Sequence, residues 1–406
     1  MAARRPILSP FALWLLLLCG LAVPGMYLLV RQSGLDACPT GLNNDVAWGL
    51  YIGQFTFLAG VAASGVVFLL PFHFHGDERF RAFLLPGEYL ALGAVIAACL
   101  FLLADLGQPA RIWNILLHPN PGSIIFWDTL ILPGYVLLLL AAARIRRHWR
   151  EYGAPPPFWH KGLLTLSILW ALALHTVTAF LYAGLAARGF WLSSVLAARF
   201  LASALCSGPA LLLLICFAGR RVFRFSPDPE AVGLILKLIA YSMGLNLFFF
   251  SLNCFSVFYS QMPALTAPYA ALTALSGIPA WCAGLGIVSF LLLAFPAGRA
   301  HPVLMPLALV LLLFSLWLDK GYLLLPGGFA LTPLGQTAAY SPTLTEACIS
   351  LSIYAVGAIL VSLGLLNCPI PQPAAPGNPD RRNGIPERRR RCCPGRQKRA
   401  GQDGNY

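Results

Sequence analysis

Long apolar runs alternate with short breaks marked by proline, glycine and charge along almost the whole chain. Phe11–Val30, Leu84–Leu103 and Val303–Leu318 carry hardly a charged side chain. Each approaches the ~20 residues that a helix needs to cross ~30 Å of hydrocarbon. No water is present there to pair backbone amides, so such runs must be helical. Apolar segments fall at 11–30, 46–71, 84–104, 124–143, 161–184, 200–218, 231–258, 270–295, 302–319 and 345–366. The pattern predicts an all-α, polytopic transmembrane helical protein with about ten spans. The first run follows Arg4 and Arg5 as a signal peptide would. Its length, and the lack of a small-x-small cleavage site, mark it as a retained span.

Composition agrees with this pattern: 58% of residues are hydrophobic, 11% are charged and mean hydropathy is +0.72. The net charge of +13 would suggest nucleic acid in a soluble chain. In a membrane protein, Lys and Arg instead mark the cytoplasmic side. With a cytoplasmic N-terminus, 22 of the 28 Lys and Arg fall inside and 5 outside, or 13 against 5 without the tail. Both termini are therefore expected in the cytoplasm of a bacterial or archaeal inner membrane. Residues 369–406 read as a basic, disordered cytoplasmic tail, too poor in apolar area to fold alone.

Ionisable groups at membrane depth are costly and each is a functional candidate. Glu88, Asp128, His175, Lys237 and Glu346 lie within spans, and Asp45, Asp105 and Arg199 lie at outer helix ends. A proton path through Glu88, Asp128 and Lys237 stands against plain interhelical hydrogen bonding or snorkelling of the lysine stem. His73 and His75 form an H-x-H at the edge of the second span, with no third ligand near in sequence. Only His175 lies well inside a span, which argues against a haem held between paired histidines. Seven of the eleven cysteines sit singly in apolar runs and no C-x-x-C occurs, so no iron–sulfur or metal motif is found. Asp105–Ser123 and Asp319–Thr345 read as long outer loops, fit for a docking face or a cap.

Several stretches carry a resemblance: WGLYIGQFTFLAGVAASGVVFLLP at 48–71, GEYLALGAVIAACLFLLADLGQPARIWNILLHPNP at 87–121 and SIIFWDTLILPGYVLLL at 123–139. The second half adds LHTVTAFLYAGLAARGFWLSSVLAARFLASALCSGPAL at 174–211, NLFFFSLNCFSVFYSQMP at 246–263, DKGYLLLPGGFALTPLG at 319–335 and YSPTLTEACISLSIYAVGA at 340–358. Together these resemble the NrfD/PsrC family, the membrane subunits of polysulfide reductase and related respiratory complexes. The ten-span length is most similar to the long DsrP/HmcC-type branch.

The resemblance implies two four-helix bundles plus peripheral helices. A first helix and outer loop would cover 1–45, the first bundle 46–184 and the second 185–319. An outer loop and last helix would cover 320–368. It further implies a quinone-interacting subunit (menaquinone or ubiquinone as substrate) of a respiratory complex in sulfur-compound metabolism, with no haem or iron–sulfur cluster of its own. Trp48 and Tyr51 would wall the ring, and Asp105, Arg111, His175 and Arg199 would bond or protonate its oxygens. His75, Glu88, Asp128 and Lys237 would carry protons toward the cytoplasm. A four-cluster ferredoxin-type iron–sulfur subunit would dock at the outer face, with a multihaem cytochrome and other membrane subunits as further candidates. The chain departs from the family at Asn253, which cannot titrate where relatives often carry an acid. The competing classes are a proton-translocating or secondary transport module and a passive anchor. The topology is open to test by reporter fusions. Those ending at residues 152 and 366 are expected to fluoresce in the cytoplasm, while one ending at 118 should stay dark.

Overall fold

The computed structural model describes residues 10–33, 40–152, 158–185, 187–219, 227–275, 277–331, 338 and 340–366. The basic tail, the pair Cys392–Cys393 and Arg220, Arg221 and Arg224 lie outside the described residues. Among the described residues the chain is all helix without strands, and nine helices are long and apolar enough to span a membrane. A tenth is gained if a pair bent by 82°, Pro263–Thr273 and Ile278–Ala294, counts as one span.

Helix α1 (Pro10–Gln32) is peripheral and packs on the last helix, α15 (Leu344–Leu366). Gly25 makes the close approach possible, because a side chain there would collide with Ser352. The Ser352 hydroxyl accepts from the Gly25 amide (3.0 Å) and donates to the Leu21 carbonyl (2.7 Å). At the other end of the pair, Trp14 donates to Ser362 (3.1 Å). Small residues and polar side chains are what bind helices where lipid removes the hydrophobic drive.

The second span is broken into α2 (Leu50–Ala62) and α3 (Ser64–His75) at a turn on Ala63. Tyr135 from α6 (Ile124–Tyr152) reaches into that break and donates to the Ala62 carbonyl (3.1 Å). Gly208 of α8 (Leu196–Ala218) presses against Ser64. Helices α2/α3, α4 (Arg81–Asp105), α6 and α7 (His160–Ala183) pack around one core. The short α5 (Trp113–Leu117) links α4 to α6.

Helix α8 joins this group to α9 (Pro229–Ser260), α11 (Ile278–Ala294) and α13 (Leu304–Leu316). Asp228 caps α9 by accepting from the Glu230 amide (2.9 Å), with Pro229 in the first turn, a standard start signal. Arg79 bridges Asp77 (2.7 Å) and Glu230 (3.1 Å), tying the α3–α4 turn to the foot of α9. The hydrogen bond from Arg79 holds the Asp77 carboxyl below the usual carboxylate range. Helix α10 (Pro263–Leu275) forms the first arm of the bent pair, and α12 (Pro296–Ala300) is a short turn.

One expected boundary moves. The outer loop expected from Asp319 begins only near Leu331, because the chain stays helical through a π segment, Trp317–Leu323, and α14 (Leu324–Phe329). Two small residues permit this: Gly327 and Gly328 lie against the rings of Phe190 and Trp191, where a Cβ would collide. Asp319 and Lys320 are therefore buried within the span Leu304–Phe329.

A second ion pair fastens α4 to α6. Arg146 donates to both oxygens of Glu88, the closest contact being 2.8 Å, and both side chains are almost fully buried. Removing one member of such a pair leaves an uncompensated charge. Arg146→Met is expected to cost roughly 3–5 kcal/mol, read as a fall in thermal midpoint in detergent. Glu88→Leu/Arg146→Met should recover most of that loss.

Candidate functional site

Five of the six residues expected to hold a ring divide between two neighbouring places at one end of the bundle, the end where Trp48 precedes α2. Trp48 is half-buried and stacks on Trp191 at 5.6 Å. The edges of Tyr182 (5.8 Å) and Phe329 (6.4 Å) close around it. Arg188 lies 4.5 Å over the Phe329 ring. Tyr182 bonds Thr56 of α2 at 2.5 Å, so this aromatic cage is anchored to the first bundle by a buried hydroxyl pair.

Beside the cage, Tyr51 donates to the Gln32 side chain (3.0 Å), and Gln32 donates to the Ala104 carbonyl (3.0 Å). This joins the ends of α1, α2 and α4 one residue from Asp105, whose Oδ1 is buried without a partner among the described residues. The outer segment is pinned by Glu346, which accepts from the Thr343 amide (2.7 Å), the Gly41 amide (3.2 Å) and the Tyr340 hydroxyl (3.1 Å). Tyr340 in turn accepts from the Leu50 amide (2.7 Å). Burial pushes its phenol above the usual tyrosine range, so it stays a donor to Glu346.

His175, Thr178 and Tyr182 form a buried stripe along α7 at helical spacing, which places all three on one face. His175 Nε2 and Thr178 Oγ1 have no partner among the described residues. Trp170 of α7 donates to the Ile131 carbonyl of α6 (2.9 Å). In an antiparallel pair that register sets Asp128 close to the level of His175. Asp128 is also buried, with Oδ1 unpartnered among the described residues. Arg111 lies elsewhere, exposed in the short turn Pro109–Ile112.

Arg199 belongs to the second place. It is buried against Asp319, which it contacts directly, while Lys320 Nζ lies 3.1 Å from the other Asp319 oxygen. Arg199 packs 4.6 Å from the Phe250 ring centre and Lys320 4.5 Å from that of Phe200. The three groups carry two positive charges and one negative. A pocket of about 160 Å³ opens beside Arg199 and Asp319. Its walls include Phe190, Phe250, Phe258 and Tyr269, with Cys254 and Thr273. Asn253 donates to the Tyr269 hydroxyl (2.6 Å) and so fixes that ring in the wall. Of the six residues expected to hold a ring, Arg199 alone lines this pocket.

The residues expected to carry protons are also dispersed. Glu88 is bound to Arg146 toward the end rich in arginine, and His160 Nε2 is buried nearby without a partner among the described residues. His73 bonds Thr165 (3.1 Å), whereas His75 is exposed at the end of α3. Lys237 is exposed on the outer surface of α9. Sequence reasoning placed Asp319 and Lys320 in a loop and missed Gln54, Arg146 and Tyr269. The D-K-G motif was the available signal for the first two. Among the described residues no three His, Cys, Asp or Glu side chains converge as a metal-holding group.

Comparison with known proteins agrees with a membrane protein. A family profile described as "Polysulphide reductase, NrfD" matches residues 39–332. A Halobacterium salinarum protein provisionally named as a membrane subunit of dimethyl sulfoxide reductase is 26% identical, over 92% of this chain and 95% of its own length. The Hdr-like menaquinol oxidoreductase integral membrane subunit of Archaeoglobus fulgidus is 23% identical, over 55% of this chain and 54% of its own. A tetrathionate reductase subunit of Salmonella typhimurium is 31% identical, over 44% and 51% respectively.

The charge balance of the triad makes an asymmetric prediction. Asp319→Ala would leave two buried cations facing each other and is expected to cost roughly 3–5 kcal/mol. Lys320→Met leaves the Arg199–Asp319 pair intact and should cost far less, as measured by thermal midpoints of the purified chain.

Proposed function

We propose that this chain, which belongs to the NrfD polysulphide reductase family, is the quinone-reactive membrane subunit of a respiratory oxidoreductase complex. The observation that carries the reading is the aromatic pocket whose inner wall is the buried Arg199–Asp319 pair. Lipid-soluble ligands with polar ring oxygens need apolar walls and a few convergent polar groups, and this pocket offers both at membrane depth.

Oxidation of a quinol releases two electrons and two protons. Asp319 lies between two cations and is the base nearest the pocket, while Arg199 can donate to a ring oxygen as its charge changes. Proton transfer by a placed side chain is general acid–base catalysis. The cage of Trp48, Tyr182, Trp191 and Phe329 lies toward the end where long segments leave the membrane. There a partner iron–sulfur subunit would accept or return the electrons. The family name and the relatives named as sulfur-oxyanion and sulfoxide reductase subunits support a role in sulfur-compound metabolism.

A second reading, a proton-translocating module, is favoured by the buried Asp128 Oδ1 and His175 Nε2, which have no partner among the described residues. The two are separable in the assembled complex in native membranes. Asp319→Asn is expected to lower quinol turnover by roughly 100-fold with the complex still assembled, and Phe258→Ala to raise the quinol KM. Full turnover in Asp319→Asn would remove the quinone reading. Loss of proton translocation in Asp128→Asn with quinol turnover retained would establish the second activity.

A further inference from the structure

Asp319 and Lys320 point where they do because the helix around them is not an ordinary α-helix. Over Trp317–Leu323 it widens into a π turn, with the Leu324 amide reaching back to the Asp319 carbonyl. Widened turns of this kind have poorer local geometry and persist where something holds them. A slip of one residue into regular helix would swing the segment by ~100° about its axis. Such a swing is incompatible with Asp319 facing Arg199 while Lys320 lies over Phe200.

Gln54 of α2, only 1% exposed, grips this turn at two points. Its Nε2 donates to the Gly321 carbonyl (2.9 Å). Its Oε1 accepts from Trp317 Nε1 (2.7 Å) and from the Tyr354 hydroxyl of α15 (2.7 Å). The orientation of the amide is settled by chemistry, since an indole N–H only donates and a backbone carbonyl only accepts. Asp319 and Lys320 lie between the two gripped residues, Trp317 and Gly321. Gly53 beside it lets the Gly321 carbonyl come so near to α2 that any Cβ would collide. A further side-chain bond follows at the next turn, where Trp191 donates to the Leu324 carbonyl (2.6 Å).

We propose that Gln54 is a positioning residue: it sets the π register that aims the Asp319 carboxylate at Arg199 and thereby at the quinone pocket. Gln54 is not among the residues lining the pocket, and its hydrogen bonds among the described residues go to Gly321, Trp317 and Tyr354 rather than to the ion triad. Its activity readout rests on the quinone reading above, but its structural readout does not.

Two variants test it in the full complex. Gln54→Glu keeps the shape of the side chain. When ionised it can still accept from Trp317 and Tyr354 but opposes the Gly321 carbonyl. When protonated it regains one donor and with it the native pattern. The ratio of its quinol turnover to that of the native complex is expected to rise as pH falls. Gln54→Leu should lose on the order of 100-fold, as a misplacement of about 1 Å can, with no recovery at low pH.

Infrared spectroscopy gives the second readout. In Gln54→Leu a carboxylate released from Arg199 is expected to protonate and show the carbonyl stretch of a carboxylic acid. Gln54→Leu/Asp319→Asn should lack that band. A pH-independent ratio in Gln54→Glu, or a Gln54→Leu spectrum without the band, overturns the proposal. If the band appears but the native complex shows no quinol turnover, the register role stands and the quinone reading falls. If Gln54→Leu does not accumulate, the pH response of Gln54→Glu decides alone.

Discussion

Charge at membrane depth has to be compensated on the spot, and the helices around Arg199, Asp319 and Lys320 are fitted to that requirement. Taking a single ion out of water costs several kcal/mol even after relaxation, so the three cannot tolerate misalignment. Arg199 comes from α8, the other two from the π turn, and aromatic faces from α8 and α9 cover the cations. The first bundle meets the same requirement by a different route, with the two-point Arg146–Glu88 contact between α6 and α4. That pair balances its charge. The triad does not: by formal charge it holds one positive charge in excess.

The placement of the triad depends on backbone approach as much as on charge. Gly53, Gly327 and Gly328 each sit where a Cβ would strike a neighbouring carbonyl or ring. Together they let the segment from Trp317 to Phe329 run between α2 and the Phe190–Trp191 corner. Once seated, its carbonyls take donors from Gln54 and Trp191. A buried carbonyl that lost such a donor would be costly in lipid, so the side-chain bonds and the close packing stabilise one another.

Much of this fold was legible because apolar length is a strong signal in membranes. The runs at 84–104, 161–184, 200–218 and 345–366 match helices almost end to end. The segment after Asp319 was misread for a physical reason. Gly321, Pro326, Gly327 and Gly328 look like loop chemistry in isolation, and only the neighbouring rings reveal that small residues there serve packing. Arg146 was counted as a topology marker, which its position at the foot of α6 invites, although its guanidinium turns inward to Glu88. Gln54 carried no signal of its own, since one amide in an apolar helix has many ordinary explanations. Lys237 illustrates the converse: a charge within an apolar run faces outward, where its long stem can reach the interface.

The two polar systems differ in the way their groups are satisfied, and that difference bears on function. Beside the pocket Arg199 and Asp319 are held by direct contact and by a clamped backbone, although Arg199 Nε, Asp319 Oδ2 and Lys320 Nζ make no hydrogen bond among the described residues beyond their ion contacts. Asp105, Asp128 and His175 each keep a buried polar atom without a partner among the described residues. A group outside any ion pair can gain or lose a proton without breaking one. Tyr182 stands where the systems meet, bonded to Thr56 on one side and packed on Trp191 and Phe200 on the other. Phe200 in turn lies under Lys320. This contiguous set of aromatic contacts joins the triad to α7 about two helix turns from His175.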